Sequence, residues 1–452
     1  MASASFYHLE KATAGLCRGA ACFVARHRHP DRWRQACAQD APVYCLGKCH
    51  QAPASASEDG RPRVEVHSRK AVVLERVARP APYGAYDALT QARDFSREAL
   101  VRAVEASGLR GRGGAGYPAG KKWAAVLHQP GPVKFVVANA DEGDPGAYID
   151  RMILEEDPHA LIEGLAIAAH AVGAGKGYLY LRKEYPQAER AVRAALSEDR
   201  SGFPIELVIG QGSYVCGEET ALLNSIEGKR PEVRVRPPYP TERGLFGKPT
   251  LVQNVETLVN IPWIVRNGAE AYRSLGFSKS RGTKAVSLNS LFKRPGLYEV
   301  EFGIPVRRIV EEIGGGLADG RLKGVIIGGP LAGILPPSLL DTPFGFEELR
   351  AVGASVGHGG IVAFDDRTSI ADLVHHVFEF GAFESCGKCT PCRLGSRRVE
   401  EIFRAVKGAR REVEEIVSAL RTTSLCGLGT GLAEFAESAL RHYPEELSRW
   451  LA

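Results

Sequence analysis

Apolar residues recur at helical spacing between Asp94 and Ser107 (Phe95, Leu100, Val101, Val104), and a second short helix is expected over Lys121–His128. A glycine-rich run, Gly108–Gly120, separates them, and Lys134–Asn139 then reads as a strand. Helices around Ala160–Val172 and Gln187–Leu196 alternate with strands Lys176–Leu181 and Ile205–Ile209, the pattern of an α/β sheet layered with helices. Gly282–Gly329 reads as strand, turn (Lys293–Gly296), strand, helix (Val306–Ile313), glycine-rich stop and strand (Gly324–Ile327), a compact β-grasp-like insertion. From Ser369 onward the spacing is helical and amphipathic, as in Val399, Ile402, Phe403 and Val406. Near the start, the turn-rich Ala52–Pro62 leads into an alternating run, Val64–Val77, that reads as a β-hairpin closing a small unit at about Pro80.

The balance of 58 basic and 53 acidic residues over 452 is mild and dispersed, which disfavours nucleic acid as a partner. The best apolar stretches, Leu161–Leu181 and Leu322–Leu340, are broken by Glu163 and Lys176 and by Pro330, Pro336 and Pro337, so no membrane-spanning segment is expected. Met1–Gly15 carries no secretory pattern, and the expected location is the cytoplasm.

The 50 glycines exceed ordinary usage, and many sit where chemistry is expected. Gly111, Gly113 and Gly116 satisfy G-x-G-x-x-G, but a helix rather than a strand precedes them, so a simple dinucleotide fingerprint fails on context. Gly116–Lys121 is one residue short of a P-loop, with Lys122 where a hydroxyl should hold magnesium. Closely spaced glycines, a helix N-terminus and the cations Arg112 and Lys122 still suit a phosphate or a flat ring, the alternative being a mobile surface loop. Asn139, Asp141, Glu142 and Asp144 follow a strand end, where they would meet sugar hydroxyls or remain solvated acids of a turn. Glu218 and Glu219 open a helix after Gly217, where acids also favour the macrodipole, and Cys216 reads as buried packing.

Ten cysteines in a chain expected to be cytoplasmic point to metal or redox chemistry. Cys386, Cys389 and Cys392 form C-x2-C-x2-C, with Cys426 as a later fourth ligand, which favours 4Fe-4S, with zinc as the rival. Cys17, Cys22, Cys45 and Cys49 form two close pairs suited to 2Fe-2S, zinc or no metal, with Cys37 a spectator.

Taken together, GLRGRGGAGYPAGKKW, NADEGDPGAYIDR, YVCGEETALL, PPYPTERGLFGKPT with QNVET, and ESCGKCTPCRLG resemble the family of flavin-bearing, NADH-oxidising subunits of respiratory complex I and related diaphorases, over about Ala92 to the C-terminus. GGPLAGILPPS and VGHGGIVAFDD look most similar to the β subunit of NAD-dependent molybdenum or tungsten formate dehydrogenases. The resemblance implies an α/β fold in four units: a shortened thioredoxin-like 2Fe-2S domain (1–80), a Rossmann-like FMN- and NADH-binding domain (81–275), a β-grasp, ubiquitin-like domain (276–350) and a helical 4Fe-4S domain (351–452). It implies FMN held by Gly111, Arg112, Gly113, Gly114 and Lys122 at the phosphate, and by Asn139, Asp141, Glu142, Tyr214, Gly217, Glu218, Gln253, Asn254 and Thr257 around the ribityl chain and ring. NADH would stack on Tyr117 and Tyr239, with Asp144, Glu219 and Arg236 lining it, and no protein nucleophile is needed for hydride transfer. Gln253 stands where the family commonly has asparagine, and only 22 residues separate the two N-terminal cysteine pairs, fewer than in thioredoxin-like ferredoxins. The implied partners are a thioredoxin-like 2Fe-2S subunit and a large iron-sulfur catalytic subunit of formate dehydrogenase α type, with complex I or an NAD-linked hydrogenase as the alternative. A scaffold without nucleotide is disfavoured because Arg112, Lys122, Glu218 and Glu219 are intact, and a zinc enzyme because no H-E-x-x-H occurs.

Overall fold

The computed structural model describes residues 15–39, 42–58, 60–405 and 409–451, with the side chain of residue 449 left aside; Met1–Ala14 and Val406 lie outside the described residues. Two sheets organise the chain, both of them layered with helices. The first is all parallel, in the order Ile205–Ile209, Lys176–Leu181, Phe135–Ala140, Thr250–Asn254. Its central strands carry Val136, Val137, Ala138, Leu179, Leu181 and Leu251 with no exposure above 1%, the continuous burial required when helices cover both faces. Helix Pro158–Val172 packs between this sheet and helix Val255–Asn267 so closely that a Cβ at Gly164 would meet the Leu258 carbonyl oxygen at 2.2 Å.

The second sheet is mixed, in the order Arg63–Val66, Gly296–Glu301, Thr283–Leu288, Gly360–Asp365, Leu322–Ile327, Ile334–Leu335. The hairpin, helical turn (Arg308–Ile313) and returning strand expected within Gly282–Gly329 are present. The sheet is wider than that segment. Gly360–Asp365, beyond the expected 350/351 boundary, inserts parallel to Thr283–Leu288, and Arg63–Val66, before the 80/81 boundary, pairs in parallel with Gly296–Glu301. Units drawn along the sequence and units drawn by strand pairing therefore differ, because a parallel partner needs a long connection and leaves no local sequence signal.

The Val64–Val77 hairpin does not form. Its first strand pairs elsewhere, and the segment Val72–Leu74 instead gives three backbone N–H groups to the buried Glu299 carboxylate at 2.9 to 3.2 Å, ending in helix Glu75–Ala78. Among the described residues before it, Leu16 to Ser55 and Cys17 to Val43 make only isolated bridges, beside helices Ala20–Val24 and Pro30–Cys37. The C-terminal part is a bundle of Ile370–Glu384, Ser396–Ala405, Arg410–Thr423, Gly427–His442 and Pro444–Leu451. Among the described residues no helix is long and apolar enough to cross a membrane.

Candidate functional site

Strand order reverses at Phe135–Ala140: its onward connection runs to Lys176–Leu181 on one side, while Thr250–Asn254 pairs on the other. Crevices at the C-terminal ends of such neighbours are where open α/β sheets bind ligands. The glycine loop hangs over this point. Ser96 Oγ accepts from the Ala99 N–H at 3.2 Å to begin helix Arg97–Ser107, and Gly108, at φ 72°, ends it. The loop closes on itself through Gly111 N–H to the Tyr117 carbonyl and Ala119 N–H to the Leu109 carbonyl, each 2.9 Å. It is pinned to the strand end by Arg112 N–H to Thr257 Oγ1 at 2.8 Å, and Thr257 N–H donates in turn to Asn254 Oδ1 at 3.1 Å. Gly113 abuts Asn254 so tightly that an added Cβ would lie 2.9 Å from the Asn254 Cβ.

The Arg112 guanidinium does not serve as a cation for this loop. It is buried, donates to the Tyr272 hydroxyl and the Arg281 carbonyl at 2.7 Å each, and lies over the Phe302 ring with its carbon 4.8 Å from the centroid. A strut between the loop and the mixed sheet stands where a phosphate ligand was expected. Lys122 keeps its place: its Nζ is 2.6 Å from Glu219, which Arg236 also approaches at 3.3 Å. Burial pushes the Glu219 carboxyl up, but Lys122 and Arg236 outweigh it and hold the group below its ordinary range. Tyr117 and Tyr239 are exposed rings, and helix Pro240–Arg243, which starts at Tyr239, packs on helix Ala119–Leu127, which starts just after Tyr117.

At the strand ends, Asn139 Nδ2 donates to the Gly217 carbonyl at 2.8 Å and the Tyr214 hydroxyl donates to Asp144 at 2.6 Å. Two of the expected acids are turned to structural use. Glu142 accepts the N–H groups of Ile149, Asp150 and Arg151 at 2.7 to 3.1 Å and so caps helix Ile149–Glu156. Glu218 caps helix Glu219–Ile226 through the N–H groups of Thr220 and Ala221, both at 2.9 Å. Asp141 Oδ2 and Gln253 Nε2 are buried without a partner, on two strands that pair side by side. A donor and an acceptor left unsatisfied in one crevice cost stability unless a ligand meets them, so the residues fit a polar, hydrogen-bonding group. Cys216 is fully buried, and burial pushes its thiol up, which leaves it as packing.

The C-terminal thiols border this crevice. Cys386 and Cys389 follow helix Ile370–Glu384, Cys392 lies in the turn Pro391–Gly395, and Cys426 is the N-cap of Gly427–His442. Cys386 packs with Val215 and Ala221, on either side of Gly217, and Cys426 lies against the same cluster. The hydrogen bond from Cys392 lowers the Cys389 thiol to about 5, whereas burial raises Cys426 to about 12. Among the described residues the trio of His, Cys, Asp or Glu ligand atoms lying within 4.8 Å of one another is Glu142, Asp150 and His358, so no three of these thiols have the spacing of one tetrahedral zinc.

The Nuo51 FMN-binding domain family matches residues 104–263, and the iron-sulfur binding region of NADH-ubiquinone oxidoreductase-F matches residues 372–450. Over 384 residues the chain is 41% identical to the second F-type subunit of the NADH-quinone oxidoreductase of Rhizobium meliloti (strain 1021), covering 80% of this chain and 91% of that protein. The chain belongs to this family of F-type subunits. It is similar as well to the NADP-reducing hydrogenase subunit HndC of Solidesulfovibrio fructosivorans, 42% identical over 364 residues, 76% of this chain and 74% of that one. The crystal structure of an air-oxidized NAD+-reducing [NiFe]-hydrogenase superposes on it with a TM-score of 0.85 and 31% identity, covering 100% of this chain and 88% of that chain. As a member of the family it is a flavoprotein oxidoreductase of electron transport, with FMN and a 4Fe-4S cluster as its cofactors and NADH as the substrate of its relatives.

In this F-type chain the N-terminal thiols form a second compact group. Cys17, Cys22, Cys45 and Cys49 are at most 3% exposed, and Cys45 and Cys49 Sγ are 3.7 Å apart. Backbone N–H groups of Gly19, Gly47 and Ala54 donate to the sulfurs of Cys17, Cys45 and Cys22 at 3.3 to 3.4 Å. Close pairs with N–H donors on sulfur are the environment of a dinuclear iron-sulfur centre. Cys37 is exposed and outside it. The group is tied to the flavin crevice: Arg182 donates to the Cys45 carbonyl at 3.0 Å and also to the Glu142 carbonyl, and Arg151 donates to the Gly47 carbonyl at 2.9 Å. Sequence reasoning missed Arg151, Arg182, Asp150 and His358; Asp150 and His358 do stand inside the family motifs, but nothing local marks them as partners.

Proposed function

We propose that the chain is the diaphorase module of a larger redox complex, exchanging a hydride between NAD(H) and FMN and passing single electrons to or from the 4Fe-4S cluster. The observation that carries the site assignment is the unsatisfied pair Asp141 Oδ2 and Gln253 Nε2 beneath the glycine loop. FMN bound there would supply hydride exchange with nicotinamide and release of electrons one at a time. In this reading the backbone of Gly111, Gly113 and Gly114 and the Lys122 ammonium hold the phosphate. Asn139, Asp141, Tyr214, Gly217, Gln253, Asn254 and Thr257 orient the ribityl chain and ring, while Glu142 and Glu218 act by setting the loops. Tyr117 and Tyr239 offer ring faces to NADH, and Asp144, Glu219 and Arg236 line its path. Cys386, Cys389, Cys392 and Cys426 hold the 4Fe-4S cluster, and Cys17, Cys22, Cys45 and Cys49 a 2Fe-2S centre.

A quinone-oxidoreductase or NAD-linked hydrogenase context is carried better than formate dehydrogenase, because the similar proteins bear those names. The formate dehydrogenase reading rests on GGPLAGILPPS and VGHGGIVAFDD alone. In either context the partners would be a thioredoxin-like 2Fe-2S subunit and a large iron-sulfur subunit, in the cytoplasm. Anaerobic purification with flavin, iron and zinc quantitation tests the module: FMN with iron supports it, and zinc without flavin overturns it. Lys122→Gln should release FMN while the cluster spectrum stays; full flavin retention would overturn the phosphate assignment.

A further inference from the structure

His358 is buried, with its Nε2 3.2 Å from Asp150 and its Nδ1 3.4 Å from Glu142. These three groups form a compact trio, yet a metal ion suits them poorly. Glu142 already accepts three backbone N–H groups and faces the Tyr185 hydroxyl at 3.2 Å, and Asp150 accepts the Glu256 N–H at 3.3 Å and Asn254 Nδ2 at 2.6 Å. Lone pairs engaged by donors are not available to a cation. An imidazole bearing both protons needs only what is present, one carboxylate on each side.

The trio is also the far end of a chain of contacts to the glycine loop. Asp150 holds Asn254, Asn254 Oδ1 receives Thr257, Thr257 Oγ1 receives Arg112 N–H, and Gly113 rests on Asn254. From the other side Gly357, next to His358, bridges Gly114. We infer that His358 is a positioning residue for the flavin loop: as an imidazolium wedged between Glu142 and Asp150, it holds the Asp150 carboxylate against Asn254 and keeps Gly111–Gly114 seated on the strand end. The inference rests on the FMN reading of this crevice.

The surroundings favour the charged ring. Burial works against it, but Asp150 and Glu142 outweigh burial and raise His358 to about 9. Asp144 faces it as a further acid, and the opposing cation, Lys284, is paired with the buried Glu256. Since the folded value is raised, the clamp is complete below the ordinary histidine range and is lost as pH rises through about 9.

FMN rebinding to the deflavinated full chain, followed by flavin fluorescence quenching from about pH 6.5 to about 10, tests this. Wild-type affinity should fall roughly tenfold over the alkaline half of that range, and His358→Gln should bind roughly tenfold more weakly at neutral pH with a flat profile. A His358→Gln protein with wild-type affinity and wild-type profile overturns the inference. Should that variant fail to fold, Asp150→Asn must flatten the profile in the same way, and an unchanged profile there overturns it equally. Wild-type chain that binds FMN with no alkaline loss overturns the inference alone, whereas wild-type chain that takes up no FMN overturns the flavin reading on which it rests.

Discussion

The Arg112 guanidinium donates to the Tyr272 hydroxyl at 2.7 Å, and Tyr272 donates onward to Asn260 Oδ1 at 2.8 Å. This buried chain anchors the glycine loop to helices Ala269–Arg273 and Val255–Asn267. Arg112→Ala should therefore destabilise the whole chain by about 3 kcal/mol, since it strands a hydroxyl and a carbonyl in the core. The check is the urea midpoint, compared with Lys122→Gln, which should leave that midpoint within about 0.5 kcal/mol while lowering flavin content.

Gly113→Ala is expected to weaken FMN binding at least tenfold and to cost about 1 to 3 kcal/mol, because the new methyl would press on Asn254 at 2.9 Å. Flavin content after gel filtration reads it out. Gly131, where an added Cβ would meet nothing within 4 Å but φ is 102°, is the control for strain alone.

His376 stacks on Phe23 with ring centroids 4.3 Å apart and joins the N-terminal unit to helix Ile370–Glu384. Burial, with Arg18 and Arg26 adding to it, holds His376 far below the ordinary histidine range. Its folded value is lowered, so the unfolded chain binds the extra proton, and stability falls as pH drops below about 6.5. Between about pH 6.5 and 5.5 the loss should be about 1 kcal/mol in wild type relative to His376→Phe. Equal slopes in the two proteins, from urea unfolding at each pH, would remove His376 as the cause.

Cys45→Ser should lower the iron content of anaerobically purified protein from about six to about four atoms per chain, while FMN and the C-terminal cluster persist. An iron content unaffected by this change would leave the N-terminal thiols without a cluster.

Cys389→Ser should abolish electron delivery to a partner while sparing NADH-driven reduction of an artificial two-electron acceptor, because hydride exchange takes place at the flavin crevice. Loss of both activities would mark the cluster as a folding element.

Features carried by local spacing were legible in the sequence. The strands Lys176–Leu181 and Ile205–Ile209 have the limits their apolar runs and turn residues predict, since both signals are local. The C-x2-C-x2-C run is equally legible, since its three thiols lie within seven residues, and so is the glycine loop, because its crowding needs the smallest residue. Tertiary structure alone decided where long side chains ended. Arg112, Glu142 and Glu218 look like ligand groups in their motifs, yet two cap helices and one braces a core, because unsatisfied N–H groups and hydroxyls nearby competed for them. His358 meets Asp150 across 208 positions, and Arg63–Val66 pairs with Gly296–Glu301 over a comparable distance. Such contacts depend on how the two sheets pack, which no periodicity along the chain encodes.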